Sequence, residues 1–270
     1  MATILDQIVE TKKAEVCEAK SHRPLHELRS ACAELPRPRN MYAAISAAPS
    51  RGIHLIAEIK KASPSAGLIC PDFDPVRIAK TYHEAGASAI SVLTDRSYFQ
   101  GDLAFIQQVR QAVPLPVLRK DFIIDEYQVY ESRAAGADAI LLIAEVLSPR
   151  HLMDLLIVAT ELQLTTLLEV HDPDVLLKIR SLIGFPHARY SLLGINNRDL
   201  RTQTIDLNTF TRLAELAEPG TVLVAESGIR TRDDVLRLQH AGARGVLVGE
   251  TLMRSPDIAG KVRELLGVAS

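Results

Sequence analysis

The chain has 270 residues, of which 24% are charged, 47% are hydrophobic and 4% are aromatic. This composition is ordinary for a globular protein and excludes the disordered, collagen-like and fibrous classes. The 31 Lys and Arg against 33 Asp and Glu give a formal net charge of −2, so no overall field would attract nucleic acid or an anionic membrane.

The first segment, residues 1–52, predicts a helical extension rather than a separate domain. One amphipathic helix is predicted near Ile4–Lys20 and a second near Leu25–Leu35, before Pro36 and Pro38. A segment of about 50 residues forms only a marginal core by itself. We therefore expect the extension to pack against the rest of the chain.

Residues 53–270 alternate short apolar runs with longer amphipathic stretches, which predicts strands followed by helices. The runs are continuously apolar, as expected of strands covered on both faces of a parallel sheet. Eight strands are predicted: Ile53–Ile59, Ala89–Leu93, Leu115–Leu118, Ala139–Ile143, Thr165–Glu169, Tyr190–Ile195, Val222–Ala225 and Gly245–Val248.

Three of the predicted helices end at a glycine, which can supply a left-handed C-cap. They are residues 74–85, 126–135 and 231–240, which end at Gly86, Gly136 and Gly242. Eight strand–helix units of about 27 residues each favour a closed (β/α)8 TIM barrel over an open sheet, and we expect one catalytic domain over residues 53–270.

Ionisable side chains follow most of the predicted strands. In a barrel of this kind, catalytic groups project from the C-terminal strand ends. Alternation along the first strand directs Glu58 and Lys60 to the same side. The other strand-end candidates are Lys120, Glu169, Asn196, Arg198, Glu226 and Glu250. A structural ion-pair layer is the alternative for any one of them, but such a layer would favour branched apolar residues, so the whole set indicates acid–base chemistry.

Glycine turns after the seventh and eighth strands predict a phosphate site, because backbone N–H groups can hold a phosphate without net positive charge. They are Ser227-Gly228 and Gly249-Glu250. Alternatively, these glycines only cap turns. The polar loop at residues 60–67 is predicted to bring Ser63 over an anionic ligand, or else to be a solvated loop.

The sequence gives no sign of a metal site or of a secreted protein. Cys17, Cys32 and Cys70 show no CxxC spacing, and the histidines show no ligand spacing. The N-terminus lacks the apolar core of a signal peptide, and the apolar runs are far shorter than the roughly 18 residues of a membrane helix. We expect a cytoplasmic protein without a catalytic metal.

Seven motifs, in order along the chain and each at a predicted strand end, resemble the indole-3-glycerol phosphate synthase family. The resemblance spans the whole barrel and includes the N-terminal helical extension, which in that family packs over the barrel mouth and helps hold the substrate. The motifs are AEIKKASPSAG (57–67), VLTDRSYFQG (92–101), LRKDFIIDEYQVYESRAAGADAILLI (118–143), LLEVHD (167–172), LGINNRDL (193–200), VAESGI (224–229) and VLVGETLM (246–253).

The resemblance implies a carboxy-lyase of tryptophan biosynthesis that needs no cofactor and no partner protein. Its substrate would be the small molecule 1-(2-carboxyphenylamino)-1-deoxyribulose 5-phosphate, a phosphosugar joined to anthranilate. By motif, Lys120 is the general acid of ring closure, and Glu169 and Lys60 act as base and acid in the later dehydration. Glu58 and Glu226 orient the lysines and tune their proton affinity.

The resemblance also implies the binding residues. Asn196 and Arg198 would bind and polarise the substrate. The phosphate would be surrounded by Ser63, Ser227, Gly228, Gly249 and Glu250. The apolar walls around the anthranilate ring would be Phe99, Phe122, Leu141 and Leu200. Many members of the family carry Gly-Ser where this chain has Gly249-Glu250, so we expect Glu250 to contribute its backbone N–H and to point its carboxylate away.

Three other functions compete with this one. Phosphoribosylanthranilate isomerase shares the phosphate turns but offers no place for two lysines. A catalytically idle phosphosugar-binding barrel would have no physical reason to keep costly inward charges. Fusion to a neighbouring pathway enzyme would need a second barrel, which 270 residues cannot contain.

Overall fold

The structure, a computed structural model, describes residues 3–49, 52–199 and 202–268. Within these ranges eight parallel strands close into a barrel, each pairing with its neighbours in sequence and the first pairing with the eighth. Strands β1 to β8 are His54–Ile59, Ala89–Leu93, Val117–Lys120, Ala139–Ile143, Thr165–Val170, Ser191–Asn196, Leu223–Glu226 and Gly245–Val248. The predicted (β/α)8 TIM barrel is confirmed.

Thirteen α-helices lie within the same described ranges. Helices α1 to α13 are Ile4–His22, Leu25–Ala33, Met41–Ser46, Pro75–Ala85, Arg96–Phe99, Ala104–Ala112, Glu126–Ala134, Pro149–Glu161, Pro173–Ile179, Asn208–Ala214, Arg232–His240, Glu250–Met253 and Ile258–Leu266. Gly86, Gly136 and Gly242 have φ angles of 106°, 90° and 101°, which confirms the predicted left-handed turns after α4, α7 and α11. None of the described helices is both long enough and apolar enough to cross a membrane.

The apolar core has two layers. The larger one lies between the strands and the surrounding helices, and the smaller one fills the barrel interior with inward-facing residues such as Ile56 and Leu167. Met41 and Ile45 of α3 are fully buried in the interior layer. Ile45 lies close to Gly245 at the start of β8. Helix α3 therefore closes the N-terminal end of the barrel and leaves the opposite end for a site.

Helices α1 and α2 contact the barrel along α7. Lys20 of α1 pairs with Asp125 at 2.8 Å, and Arg29 of α2 pairs with Glu126 at 3.2 Å. Leu28 of α2 is buried in a small cluster with Tyr127 of α7. The division into an extension at 1–52 and a barrel domain at 53–270 stays a prediction.

Most predicted strand bounds agree with the structure to within one residue, and the clearest differences are in β3 and in the loop after β1. Strand β3 begins at Val117 and runs to Lys120, two residues later than predicted, because Pro116 has no N–H to donate to a strand ladder. Arg119 extends the strand because its guanidinium is buried and pairs with Asp121 at 3.0 Å and Glu131 at 2.8 Å. The loop after β1 forms a short antiparallel ribbon, in which Ala62–Ser63 pairs with Gly67–Leu68.

Candidate active site

A cavity of about 500 Å³ opens at the C-terminal ends of the barrel strands. Strand ends form most of its wall, and Ile4, Leu5 and Ile8 of α1 form part of it as well. These three apolar residues are not among the site residues predicted from the sequence. The amphipathic pattern of the first helix predicts that it has an apolar face. The pattern does not show which part of the protein this face covers, because that depends on the tertiary fold.

The structure brings the predicted site residues together in this one cavity. Leu200 lies outside the described residues. The other fifteen line the cavity: Glu58, Lys60, Ser63, Phe99, Lys120, Phe122, Leu141, Glu169, Asn196, Arg198, Glu226, Ser227, Gly228, Gly249 and Glu250. They come from all eight strands or from the segments that follow them.

Lys120, at the end of β3, occupies the centre of a buried charge cluster. Its Nζ lies 2.7 Å from Oε2 of Glu169 and 3.0 Å from Oε2 of Glu226. Asn196 donates from Nδ2 to the other oxygen of Glu169 at 3.0 Å. The two carboxyl groups are buried and the lysine is 13% exposed, so water screens these interactions little.

The two glutamates of the cluster, Glu169 and Glu226, have pKa values shifted in opposite directions. Burial raises the pKa of Glu226 to about 8, and the attraction of Lys120 offsets only part of this effect. Burial also acts on Glu169, but Lys120 and the bond from Asn196 hold the pKa of Glu169 below its ordinary value. Burial would lower the pKa of Lys120, but the neighbouring carboxylates, Glu169 first, raise it. At neutral pH the cluster therefore holds one ammonium, one carboxylate and one neutral acid.

A second lysine pair lies in the same cavity. Lys60 Nζ is 2.7 Å from Oε1 of Glu58, and the side chains are 15% and 6% exposed. Both residues belong to β1 or to the position directly after it, two residues apart. This contact agrees with the predicted alternation, which directs both side chains inward.

Two glycines make room for the inward glutamates. A Cβ at Gly194 of β6 would collide with Oε1 of Glu226, and a Cβ at Gly249 would collide with Oε1 of Glu58. Neither glycine has a positive φ angle, so space rather than backbone conformation requires them. Gly194 was not predicted as a site residue, because its role depends on a contact with the neighbouring strand.

The turn after β7 has an unusual backbone that a neighbouring side chain supports. Ser227 and Gly228 both have positive φ angles, 65° and 78°. Buried Asn197 donates from Nδ2 to the carbonyl oxygens of Glu226 at 3.0 Å and Ser227 at 3.2 Å. Its Oδ1 accepts from the backbone N–H of Phe210 at 3.0 Å. Asn197 was missed from the sequence because its function is to hold a distant turn.

Cationic side chains surround the predicted phosphate turns. The cavity wall includes Arg198, Arg230, Arg254 and Lys261. The carboxylate of Glu250 lies 3.0 Å from Nε of Arg254 and 3.8 Å from Nη2 of Arg198. Two guanidinium groups therefore offset its negative charge. Its orientation relative to a bound phosphate stays a prediction.

Apolar side chains form another part of the wall. The rings of Phe99 and Phe122 lie with their centroids 6.1 Å apart. Leu141 and Ile143 of β4 and Leu247 of β8 add aliphatic surface. This combination of an apolar wall and a few convergent polar groups is typical of a small-molecule site.

His171, two residues after Glu169, does not line the cavity. Its ring lies 3.1 Å from Glu145 and 3.8 Å from Asp199. Burial would lower the pKa of His171, but Glu145 raises it above the ordinary value. Among the described residues no group of three or more His, Cys, Asp or Glu is arranged to hold a metal ion.

Comparison with known proteins gives consistent matches over nearly the whole chain. The family described as indole-3-glycerol phosphate synthase matches residues 5–265. An indole-3-glycerol phosphate synthase from Rhodopirellula baltica is 47% identical over 264 residues, which cover 98% of this chain and 99% of that protein. The corresponding enzyme from Geobacillus kaustophilus is 48% identical over 264 residues, with coverages of 98% and 97%.

Solved structures of other proteins share the barrel. A crystal structure of 3-hexulose-6-phosphate synthase matches with a TM-score of 0.64 and 16% identity, covering 80% of this chain and all of that one. A tryptophan synthase alpha-subunit from Pyrococcus furiosus matches with a TM-score of 0.58 and 17% identity, covering 80% and 98%. At these identities the likeness shows the fold alone.

Proposed function

The chain belongs to the indole-3-glycerol phosphate synthase family, and from its geometry we propose how the pocket performs the reaction. The protein is a carboxy-lyase of tryptophan biosynthesis. It closes the ring of 1-(2-carboxyphenylamino)-1-deoxyribulose 5-phosphate, with loss of CO₂ and water, to give indole-3-glycerol phosphate. The observation that carries the proposal is the Lys120 cluster, which faces the same cavity as the Lys60–Glu58 pair.

The first step is ring closure at the ribulose carbonyl. The ring carbon that bears the carboxylate attacks the carbonyl carbon, and Lys120 donates a proton to the carbonyl oxygen, which becomes a hydroxyl group. The raised pKa of Lys120 keeps it in the ammonium form that this step requires. A positioned general acid contributes about 10²–10⁴-fold to a rate.

Decarboxylation follows from the same intermediate. The bond between the ring carbon and the carboxylate breaks, and CO₂ leaves. The electron pair of the broken bond stays with the ring, neutralises it and restores its aromaticity. This step needs no protein proton. The apolar wall around Phe99 and Phe122 favours it, because the substrate loses a negative charge there.

Dehydration completes the indole. Glu169 takes a proton from the methylene carbon next to the nitrogen, and Lys60 donates a proton to the leaving hydroxyl group, which departs as water. The lowered pKa of Glu169 keeps it ionised and ready to accept. Glu58, 2.7 Å from Lys60, orients the ammonium group.

The contacts of Lys120 also offer a route for proton return. After dehydration Glu169 carries a proton and Lys120 lacks one, and the 2.7 Å contact between them allows direct transfer. Lys60 then regains a proton from solvent. The cycle consumes one proton in total, which balances the loss of the substrate carboxylate as CO₂. Glu226, neutral at neutral pH, orients Lys120 without adding a second negative charge.

Substrate binding uses the two ends of the cavity. Ser63, Ser227, Gly228 and the turn at Gly249-Glu250 are proposed to surround the phosphate. Arg198 and Asn196 bind and polarise the sugar. The anthranilate ring lies between Phe99, Phe122 and Leu141, and Leu200 was predicted to join this wall. Support for this division comes from the lining itself, which contains both cationic side chains and apolar ones.

A small phosphorylated molecule is the substrate of this enzyme family. We propose that the chain needs no cofactor, no partner protein, no nucleic acid and no membrane, and that it acts in the cytoplasm. The near-zero formal charge of −2 supports the part of this proposal that concerns polyanions.

The test is turnover of the carboxyphenylamino substrate, followed by indole fluorescence. Wild type is expected to turn over, and Lys120→Met is expected to lose about 10²–10⁴-fold in kcat. Lys80→Met, at an exposed position on α4, is the matched control and should keep full activity. A Lys120→Met enzyme with more than about a tenth of wild-type kcat would refute the role given to Lys120.

A further inference from the structure

Lys12 on α1 is a buried lysine outside the cavity lining. The residue is only 3% exposed. Its Nζ lies 2.6 Å from Glu15, 2.9 Å from Asp95 and 3.1 Å from Asp121. Glu15 belongs to the same helix, but the two aspartates belong to the barrel.

Both aspartates are built into segments that form the cavity. Asp95 caps α5 by accepting from the backbone N–H groups of Tyr98 and Phe99 at 2.7 Å and 3.2 Å. Asp121 directly follows Lys120 and accepts from the backbone N–H of Phe122 at 2.8 Å. One ammonium group therefore ties α1 to the segments that carry Phe99 and Phe122.

The same helix forms part of the cavity wall. Ile8 lies four residues before Lys12, one turn along the same face, and Leu5 and Ile4 continue toward the N-terminus. All three line the cavity. Other polar contacts of α1, such as Lys20 with Asp125, are more exposed and are expected to contribute less.

We propose that Lys12 is a positioning residue that holds α1 over the pocket, so that Ile4, Leu5 and Ile8 cover the aromatic part of the substrate. The proposal rests on the function proposed above for the pocket. A buried pair of this kind fixes geometry, because removing one partner leaves the other charge buried and unpaired. Lys12 remains charged: burial would lower its pKa, but Asp121, Glu15 and Asp95 raise it.

The test compares Lys12→Met with Lys13→Met. Lys13, on the same helix, is 59% exposed and pairs with Glu10 at 2.6 Å, so it is the matched control. Lys12→Met is expected to raise KM about tenfold or more and to change kcat less than about threefold, because apolar cover is lost while Lys120 stays in place. Backbone amides of residues 4–22 should exchange faster with solvent in Lys12→Met, measured by mass spectrometry. Lys13→Met should change none of these quantities.

Several outcomes would overturn the proposal. Unchanged exchange in α1 would show that Lys12 does not anchor the helix. Faster exchange with an unchanged KM would show that the helix does not cover the substrate. A fall in kcat alone would show that Lys12 acts on Lys120 through Asp121.

A second variant covers the case in which Lys12→Met does not fold. Lys12→Met leaves the buried carboxylates of Asp95 and Asp121 without this ammonium partner. Adding Asp95→Asn removes one of these two charges and keeps an N-cap residue at the start of α5. The same changes in KM and exchange are expected of it. Exchange is read without substrate, so it tests the anchor even if wild type fails to turn over the carboxyphenylamino substrate, a result that would instead refute the proposed function.

Discussion

Glu226→Gln tests the protonation state of the central cluster. Burial, opposed by Lys120 and reinforced by Glu169, raises the pKa of Glu226 from 4.5 to about 8. The folded protein therefore holds a proton on Glu226 that the unfolded chain releases between these two values. A raised pKa in the folded state contributes stability that is complete below pH 4.5 and is lost as pH rises through about 8.

The size of the effect follows from the size of the shift. The interval between the two pKa values corresponds to at most about 5 kcal/mol in the free energy of unfolding. His171 contributes a change of the same sign above its ordinary value of 6.5, because its pKa is also raised. Glu169, with a lowered pKa, acts in the opposite direction and only below 4.5.

The assay is urea denaturation at a series of pH values from about 5 to about 9. The wild-type free energy of unfolding should fall across this range. Glu226→Gln keeps the shape of a neutral acid and cannot titrate, so its curve should be much flatter. His171→Gln removes another group of the same sign and should flatten the curve to a smaller extent. His54, whose pKa burial lowers from 6.5, acts in the opposite direction below that value. A Glu226→Gln protein with the full wild-type slope would refute the assignment of a neutral Glu226.

Two further substitutions test the shape of the pocket. Gly194→Ala places a methyl group against Oε1 of Glu226, so Glu226 must move away from Lys120. We expect the free energy of unfolding to fall by about 1–3 kcal/mol and kcat to fall as well. Wild-type values in both denaturation and turnover would contradict this expectation. Glu250→Ser keeps the backbone N–H that is proposed to bind the phosphate. The side chain of Glu250 is 39% exposed and its Oε2 lies 3.8 Å from Nη2 of Arg198, so this ion pair is weak. We therefore expect KM to change less than about threefold. A large fall in KM would instead mean that the carboxylate of Glu250 opposes binding.

The barrel was predictable because its signals are local. Apolar runs and glycine stops depend on residues a few positions apart, and the bounds of Ala89–Leu93, Ala139–Ile143 and Gly245–Val248 are the same in the prediction and the structure. Strand β3 was placed too early, because Arg119 looks like the end of an apolar run. Its charge is buried against partners on α7, which the linear pattern does not show.

The site was predictable to the extent that strand ends identify it. Charged residues at strand ends, such as Lys120 and Glu169, indicate where the mouth of the barrel lies. This inference does not depend on the distances between their side chains. Residues that act by supporting others were missed, because only a contact between distant segments identifies them. Gly194 makes space for a side chain of the next strand, Asn197 holds a turn 30 residues away, and Lys12 joins the extension to the barrel.

The central claim is that Lys120 acts in ring closure and Glu169 only in the later dehydration. A single turnover of Glu169→Gln tests this claim most directly. In this variant CO₂ release, captured by rapid quench, and indole formation, followed by fluorescence, are measured on the same sample. Lys120 remains in place, so ring closure and decarboxylation should proceed and release close to one CO₂ per active site, while indole forms at least about 10²-fold more slowly than in wild type. Loss of CO₂ release together with loss of indole would contradict the account, because Glu169 would then act before dehydration.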